Sequence, residues 1–504
     1  MCFVTFETEL EEKLRMRILQ ASVILVIAVL VALTAFSACP QSAAGLKLAP
    51  EVREYVKFDA SILLLSHVRV IDGTGSAPRS DQTVILRDGK IVTMGDAAST
   101  AIPAGGQVLD LHGYTVIPGI VGMHDHMFYP QPVNLAGQRV RGALQFEQQS
   151  SFTFPRLYLA AGVTSLRTTA SVEPYADLNL KRWIDAGKIP GPKIHATGPY
   201  LEGPGNFRLP VHELSGPEDA RKTVEFWADQ GVTSFKAFVH VSRGELHAVI
   251  ESAHKRGLKV TGHLCSITYR EAAELGIDDI EHGFVLASEF NPEKKPDVCP
   301  PTTESSRTAF LALTPESAEV RELFQTLIEH HVAITSTLPV LEAYSSDRPP
   351  LQQRVLDVMA PQAQAGYLSQ RVLQPGSRNL KKEMELEYAF VKKGGTLLAG
   401  PDPTGIGGVV AGFGDQREVE LLVEAGFTPV EAIHIATENG ARFLQEEDRI
   451  GTLAPGKQAD LVVVRGDPSA HISDIEAVEF VFKDGIGYES AKLIDSVRGL
   501  VGLR

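Results

Sequence analysis

The chain has 504 residues, 44% of them hydrophobic and 22% charged, with 44 glycines, 30 prolines and four cysteines. That composition excludes a disordered polar chain, a collagen-like repeat, a polytopic membrane protein and a disulfide scaffold. The formal net charge of −14 at pH 7 provides no general basic field for nucleic acid or anionic lipid.

The amino terminus is read first. Residues Ala21 to Ala38 carry no charge, Arg15 and Arg17 precede them, and Ala35-Phe-Ser-Ala-Cys39 follows. A basic flank, an apolar core and small residues at its end are the parts of a secretory signal, expected to occupy residues 1–38. A single transmembrane anchor is the rival reading, at the short end of the length required. Phe36-Ser-Ala-Cys39 resembles a bacterial lipobox, with Phe36 where an aliphatic residue is usual. It would make Cys39 a lipidated first residue and the only link to a membrane; simple cleavage nearby is the alternative. The expected location is exported, either periplasmic or anchored as a lipoprotein. Glu7, Glu9, Glu11 and Glu12 make an acidic start for a signal, so Met16 is an alternative initiator. Cys265 and Cys299 could pair in an oxidising compartment.

From about Ser61 the pattern is strand and turn. Ile62–Val70 is apolar and β-branched, Val84–Val92 reads as a hairpin about Asp88-Gly89, and a strand at Val108 follows. The carboxyl end has the same texture, with a strand at Ala459–Val464 and a hairpin about Asp484-Gly485. Between Thr115 and Gly440, short apolar strands alternate with helical stretches, which predicts repeated βα units and a parallel sheet. Eight strands are expected near Val116–His126, Val163–Thr169, Lys193–Tyr200, Val232–His240, Leu258–Leu264, Asp279–Gly283, Val332–Leu338 and Thr396–Asp402. Helices are expected at Pro217–Gln230, Arg243–Arg256 and Ser317–His330. Eight such units match an α/β fold of the (β/α)8 TIM-barrel type with long loops. An open doubly wound sheet is the alternative, without a G-x-G-x-x-G after a first strand to support it.

The chemistry lies at the strand ends. In His124-Asp125-His126 the two imidazoles share one face of a strand and Asp125 takes the other. Two imidazoles at the carboxyl end of a barrel strand can hold a metal, although the pair alone is a weak motif. His263 closes the fifth strand, His282 the sixth and Asp402 the eighth. In a barrel these ends form one mouth, so the residues can converge. Lys236 lies in the fourth strand among apolar neighbours, where a bare ammonium would be costly to bury and would repel a metal.

From about Ser61 the chain resembles the amidohydrolase superfamily of metal-dependent hydrolases. The matching strings are Val116-Ile-Pro-Gly-Ile-Val-Gly-Met-His-Asp-His126, Phe235-Lys236, Gly262-His263, Glu281-His282-Gly283 and Gly400-Pro-Asp402, with a closing signature at Ile450–Val464. The branch it is most similar to is the imidazolonepropionase-like and Xaa-Pro dipeptidase-type amidohydrolases. The resemblance implies a catalytic barrel at 115–444 and a small β-sandwich composed of 61–114 and 445–504. It also implies two divalent metal ions, zinc by ligand type, with manganese, cobalt or iron as alternatives. By the same resemblance Lys236 is carboxylated by CO2 to a bridging carbamate, His124, His126 and Asp402 bind the first metal, and His263 and His282 bind the second. A hydroxide between the metals would attack, with Asp402 as the proton shuttle.

Other residues have two readings each. His240, four positions after Lys236, is a substrate or oxyanion contact or else an ordinary rim histidine. Tyr200, at the third strand's end, is a similar catalytic candidate. His195 reads as packing, and Asp125 and Glu281 as anchors of loops or outer hydrogen bonds. Two long segments, Phe284–Pro315 and Ala343–Asn379, are expected to hang over the mouth. Arg167, Arg208 and Arg243 are the arginines that could meet a substrate carboxylate.

The expected activity is hydrolysis of an amide bond in a small molecule such as a dipeptide, N-acyl amino acid or cyclic amide. Ester or lactone hydrolysis and deamination are alternatives, although deaminases of this superfamily typically use one metal and lack the carboxylated lysine. A non-catalytic descendant is the third reading, set against six filled site positions. A small-molecule substrate is the expected partner, and the sequence leaves a homo-oligomer open.

Overall fold

Two Asp-Gly pairs make the hairpin turns in the computed structural model of the chain, which describes residues 47–127, 130–134, 141–146, 150–205, 211–349, 351–365, 377–403 and 409–502. Asp88 and Gly89 have φ of 48° and 77°, and Asp484 and Gly485 have 54° and 79°. Positive φ at both central residues is what a two-residue turn needs to match the twist of its strands. The turns join Arg79–Arg87 to Lys90–Asp96 and Val478–Lys483 to Ile486–Glu489. The signal segment, Met16 and Cys39 lie outside the described residues. Among the described residues no helix is long and apolar enough to cross a membrane.

Both chain ends build one nine-stranded sheet. Its order runs Val56–Phe58, Ile486–Glu489, Val478–Lys483, Leu461–Arg465, Tyr114–Pro118, Ile62–Val70, Arg79–Arg87 and Lys90–Asp96, with Gln107–Asp110 also beside Ile62–Val70. The seam between the ends is antiparallel, with Leu461 opposite Pro118 and Val463 opposite Val116. Period-two alternation divides the strand Leu461–Arg465 between two cores. Leu461 and Val463 pack with Leu63, Leu65, Val84 and Phe482. Val462 and Val464 join the larger core with Leu157, Ala161 and Val163.

The parallel strands form two groups. Ile120–Asp125, Val163–Thr168 and Lys193–His195 pair in chain order, and so do Thr197–Leu201, Ser234–Ala237, Lys259–Gly262, Asp279–Glu281, Ala333–Ser336 and Leu397–Ala399. Within each group neighbours in space are successive in sequence, which leaves no reversal point of the doubly wound kind. The fold is mixed α/β with parallel sheets.

Helices follow the strands on local signals. Pro217–Gln230 starts on proline with Glu218 and Asp219 in its first turn and stops at Gly231, φ 97°. Arg243–Lys255 starts at a capping box of Ser242 and Glu245. The third expected helix is Ala318–Glu329.

Three expected strands differ from the structure. Val116–His126 is two strands, because the chain turns at Gly119, where a Cβ would lie 2.0 Å from the Thr164 hydroxyl. Tyr114–Pro118 stays in the nine-stranded sheet and Ile120–Asp125 enters the parallel group. Lys193–Tyr200 is likewise divided at Ala196. Val232–His240 shrinks to Ser234–Ala237, which leaves His240 beyond the strand.

The segment 284–315 is partly folded, with the helix Glu304–Ala312 capped by Thr303. It is tied to the loop after Lys259–Gly262 by a disulfide between Cys265 and Cys299, whose Cα atoms are 4.8 Å apart. Lys294 Nζ adds a hydrogen bond of 2.7 Å to the Ser266 carbonyl. Closing this loop of 34 residues contributes about 4 kcal/mol in the chain-entropy account. Cys299→Ser should therefore lower the free energy of unfolding by up to about 4 kcal/mol and expose 284–315 to proteolysis. Urea titration with and without reductant, followed by limited digestion, checks this.

Candidate metal centre

The centre starts from the strand Ile120–Asp125, whose last residues carry His124 and His126 into the interior, both almost fully buried. His124 Nδ1 donates to Glu281 Oε2 at 2.7 Å. That bond fixes the ring and turns Nε2 toward Lys236 Nζ, 3.3 Å away, and Asp402 Oδ1, 3.5 Å away. His126 Nε2 is 3.2 Å from the same Asp402 oxygen. His282 Nδ1 is 2.9 Å from the Thr337 hydroxyl and 3.9 Å from Asp402 Oδ2. One donor atom from each of His124, His282 and Asp402 falls within 4.8 Å of the others.

His263 sits beside this group. Its ring centroid is 4.6 Å from that of His282 and 4.9 Å from that of Phe238. Tyr200 stacks edge-on against Phe238 at 4.8 Å, and Lys236 Nζ lies 5.6 Å over the Tyr200 ring. The six expected ligand positions and Tyr200 thus come together, from strands distant in sequence.

Burial sets the charge states. It drives the His124 and His282 pKa values well below that of a free imidazole, helped by Lys236 for His124 and by His263 for His282. The rings are therefore neutral, with lone pairs to offer. Burial also lowers the Lys236 amine. Burial alone would raise the Asp402 carboxyl, but His124, His126 and Lys236 outweigh it and hold its pKa at about 2.

Below the donors lies a buried polar layer. Arg167 donates through Nε and Nη2 to the Met123 carbonyl at 2.9 and 2.6 Å. The same Nη2 reaches Asp279 Oδ2 at 2.8 Å and Glu281 Oε1 at 2.9 Å. Thr261 and Thr335 hydroxyls add bonds of 2.9 Å to Asp279. Burial and the neighbouring Glu281 push Asp279 up to about 7. Arg167 is thus committed to the support of His124 and does not face a substrate carboxylate. Arg243 pairs with Glu271 at 3.1 Å and Asp297 at 3.4 Å. Arg208 lies outside the described residues.

His240 is placed differently from its sequence expectation. The strand ends at Ala237, so the same-face spacing from Lys236 does not reach it. Its backbone N–H donates to Glu202 Oε1 at 2.7 Å, and Nδ1 is 3.4 Å from Glu202 Oε2. Gly203 allows this contact, because a Cβ there would meet the His240 carbonyl at 2.0 Å. Glu202 was missed by sequence reasoning; its only signal is its place in Leu201-Glu-Gly-Pro-Gly205, directly after Tyr200. His195 is buried 3.7 Å from Glu446, as a packing residue should be. Asp125 turns away from the donors toward Asp415, and burial together with that carboxyl raises its pKa well above normal.

The arrangement defines a hydrolase site of buried imidazoles, a lysine amine and a carboxylate at the ends of parallel strands. Residues 115–486 match the model of the Amidohydrolase family, and the chain belongs to that family. Solved structures share the fold. A Xaa-Pro dipeptidase with methionine bound in its active site superposes with a TM-score of 0.63 at 20% identity, over 85% of this chain and 100% of that one. An ochratoxinase from A. niger gives 0.62 at 17% identity, over 88% and 100%. A bottromycin amidohydrolase gives 0.63 at 19%, over 90% and 96%. Among curated proteins, adenine deaminase 1 of Latilactobacillus sakei subsp. sakei (strain 23K) is 39% identical over 61 residues, 12% of this chain and 9% of that protein. Adenine deaminase 2 of Jannaschia sp. (strain CCS1) is 37% identical over 80 residues, 16% of this chain and 13% of that protein. The matched stretch spans only about a tenth of the length of these curated relatives.

Two outcomes are expected from this geometry. Glu281→Gln removes the carboxylate that orients His124 and should weaken metal binding by about 10–100-fold, read by competition with a chromophoric chelator. His195 has its pKa lowered by burial to about 4, so below pH 6.5 the unfolded chain binds the proton and the folded one does not. Its contribution to stability therefore falls by about 1.4 kcal/mol per unit as pH drops from 6.5 toward 4. His195→Gln lacks that loss, so its stability relative to wild type should rise by about 3 kcal/mol across the window, measured by urea unfolding at each pH.

Proposed function

We propose that the chain is an exported amidohydrolase that cleaves an amide bond in a small substrate such as a dipeptide, N-acyl amino acid or cyclic amide. The observation that carries this reading is the convergence of His124, His126, His282, Asp402 and Lys236 in one buried cluster. Asp402 Oδ1 is buried 3.5 Å from His124 Nε2 and 3.2 Å from His126 Nε2, and the buried rings of His124 and His282 are neutral, so the donors suit a divalent cation. His124, His126 and Asp402 would hold one ion, and His263 and His282 a second. Zinc fits the nitrogen and oxygen donors; manganese, cobalt or iron would fit less selectively.

Lys236 links the two halves. A neutral amine, favoured by burial, can add to CO2 and release one proton to solvent, and the resulting carbamate would offer anionic oxygens to a metal where an ammonium would repel it. When bound, such a pair lowers the pKa of water and polarises the scissile carbonyl. Asp402 accepts the proton of the attacking water and passes it to the leaving amine. Its depressed pKa keeps it ionised. Tyr200, with Lys236 Nζ 5.6 Å over its ring, and His240, against Glu202, are assigned to substrate or oxyanion contact.

The finer architecture follows the same reading. The parallel strands would close as a (β/α)8 barrel over 115–444. This is supported by the Ser171 N–H bonding to the Gly198 carbonyl at 3.2 Å and the Asp402 N–H bonding to the His124 carbonyl at 3.1 Å, one at each junction of the two groups. The nine-stranded sheet would fold over as the β-sandwich of 61–114 and 445–504. Export, with residues 1–38 as a signal and Cys39 as a lipid anchor, is supported by the Cys265–Cys299 disulfide, which needs an oxidising compartment. Deamination is the second reading, on the strength of the short matches to adenine deaminases.

The test is a panel of dipeptides, N-acyl amino acids, cyclic amides, lactones and adenine offered to the zinc-loaded protein. Amide cleavage is expected; ammonia from adenine alone would favour deamination. Asp402→Asn should retain much of the metal and lose nearly all turnover, and near-normal turnover would remove Asp402 from its role as proton shuttle.

A further inference from the structure

A second set of metal-type donors lies on the nine-stranded sheet, among residues the hydrolytic site does not use. Ile62–Val70 pairs with Arg79–Arg87 on one side and with Gln107–Asp110 on the other. Its ladder with Arg79–Arg87 slips between Leu65 and Val68. At that irregularity His67 and Asp81 both adopt left-handed backbone, φ 58° and 53°, a conformation Asp and His tolerate better than most residues. The His67 Nδ1 donates to Asp81 Oδ1 at 2.7 Å. Just past the third strand, His112 Nδ1 donates to Asp110 Oδ1 at 2.6 Å. The two imidazoles stack with centroids 4.2 Å apart and planes 15° from parallel. One donor atom from each of His67, Asp81 and His112 lies within 4.8 Å of the others.

We propose that His67, Asp81 and His112 bind one divalent transition-metal ion of the zinc class at this surface, with Asp110 as a positioning residue behind His112. Two surface ion pairs would be the simpler account, but each is worth little in water, and they do not require two imidazoles and a carboxylate from neighbouring strands to bring their donor atoms together. Two nitrogens and one carboxylate oxygen select zinc, copper or nickel over calcium or magnesium, which prefer oxygen alone. Asp110 holds Nδ1 of His112 and leaves its Nε2 as the ligating atom, the carboxylate–histidine–metal arrangement.

The geometry is within reach. Metal bonds of 2.0–2.1 Å place tetrahedral donors about 3.3 Å apart, so no pair need close by more than about 1.5 Å. The side chains of His67, Asp81 and His112 are 39%, 63% and 69% exposed, so rotation is cheap and water can complete the shell. The ion would then join three neighbouring strands, Ile62–Val70, Arg79–Arg87 and the end of Gln107–Asp110, and act as a staple for the sheet. This site does not depend on the hydrolytic reading.

The experiment titrates Zn2+ calorimetrically into full-length protein whose buried centre is already loaded, with bound metal counted by elemental analysis. One further equivalent is expected in the wild type, accompanied by a rise in melting temperature. His112→Gln should abolish it. His67→Asn, which keeps a residue at ease in left-handed backbone, should abolish it as well and guards against a merely misfolded variant. Asp110→Asn keeps all three ligands and should weaken binding by about tenfold or more. The metal count of the buried centre should stay the same in all four proteins. A wild type that takes up no further zinc, or a His112→Gln protein that takes up as much as the wild type, overturns the proposal.

Discussion

Arg167 is the residue on which the rest of the centre depends. One buried guanidinium neutralises a pair of carboxylates, Asp279 and Glu281, and anchors itself to the Met123 carbonyl. Without that cation, two acidic groups on successive inward positions of one short strand would be very costly to bury. With it, Glu281 can accept from His124 and aim that ring into the site. The metal-type donors are thus held from below by a layer of charge compensation. Thr261 and Thr335 complete it with hydroxyl donors from the two flanking strands.

The same logic explains the two site residues with left-handed backbone. His282 has φ 69° and Asp402 has φ 54°. Each lies just past the end of its strand, where period-two alternation stops. The alternation that places Asp279 and Glu281 together would send His282 to the opposite face. The left-handed turn cancels that and brings it back beside His124 at 4.6 Å. Non-glycine residues in such backbone cluster at functional sites, where the surroundings hold them.

Much of this was legible from residues alone. The hairpins about Asp88-Gly89 and Asp484-Gly485, the proline-led helix at Pro217 and the helix after Ser242 depend on contacts within a few positions, and the structure agrees closely. The donor residues were legible because they close apolar strands, a position with chemical meaning in parallel α/β folds. Less was legible wherever a partner is remote. Gly119 stands where what reads as one strand divides, and a Thr164 side chain, 45 positions later, leaves no room there for a Cβ. Arg167 reads in the sequence as a candidate for a substrate carboxylate, since nothing near it shows the carboxylates 112 and 114 positions on. Glu202 carries only the weak signal of its place after Tyr200, because its partner His240 lies 38 positions on.

By itself, then, the sequence determined the turns, caps, strand cores and residue types of the centre, because each follows from short-range sterics, hydrogen bonding and side-chain chemistry. The tertiary structure decided which strand ends meet, which face each polar residue takes once alternation stops, and which charges cancel. Those outcomes depend on contacts between segments a hundred or more residues apart, where Coulomb attraction and packing act across space and leave no local trace in the chain.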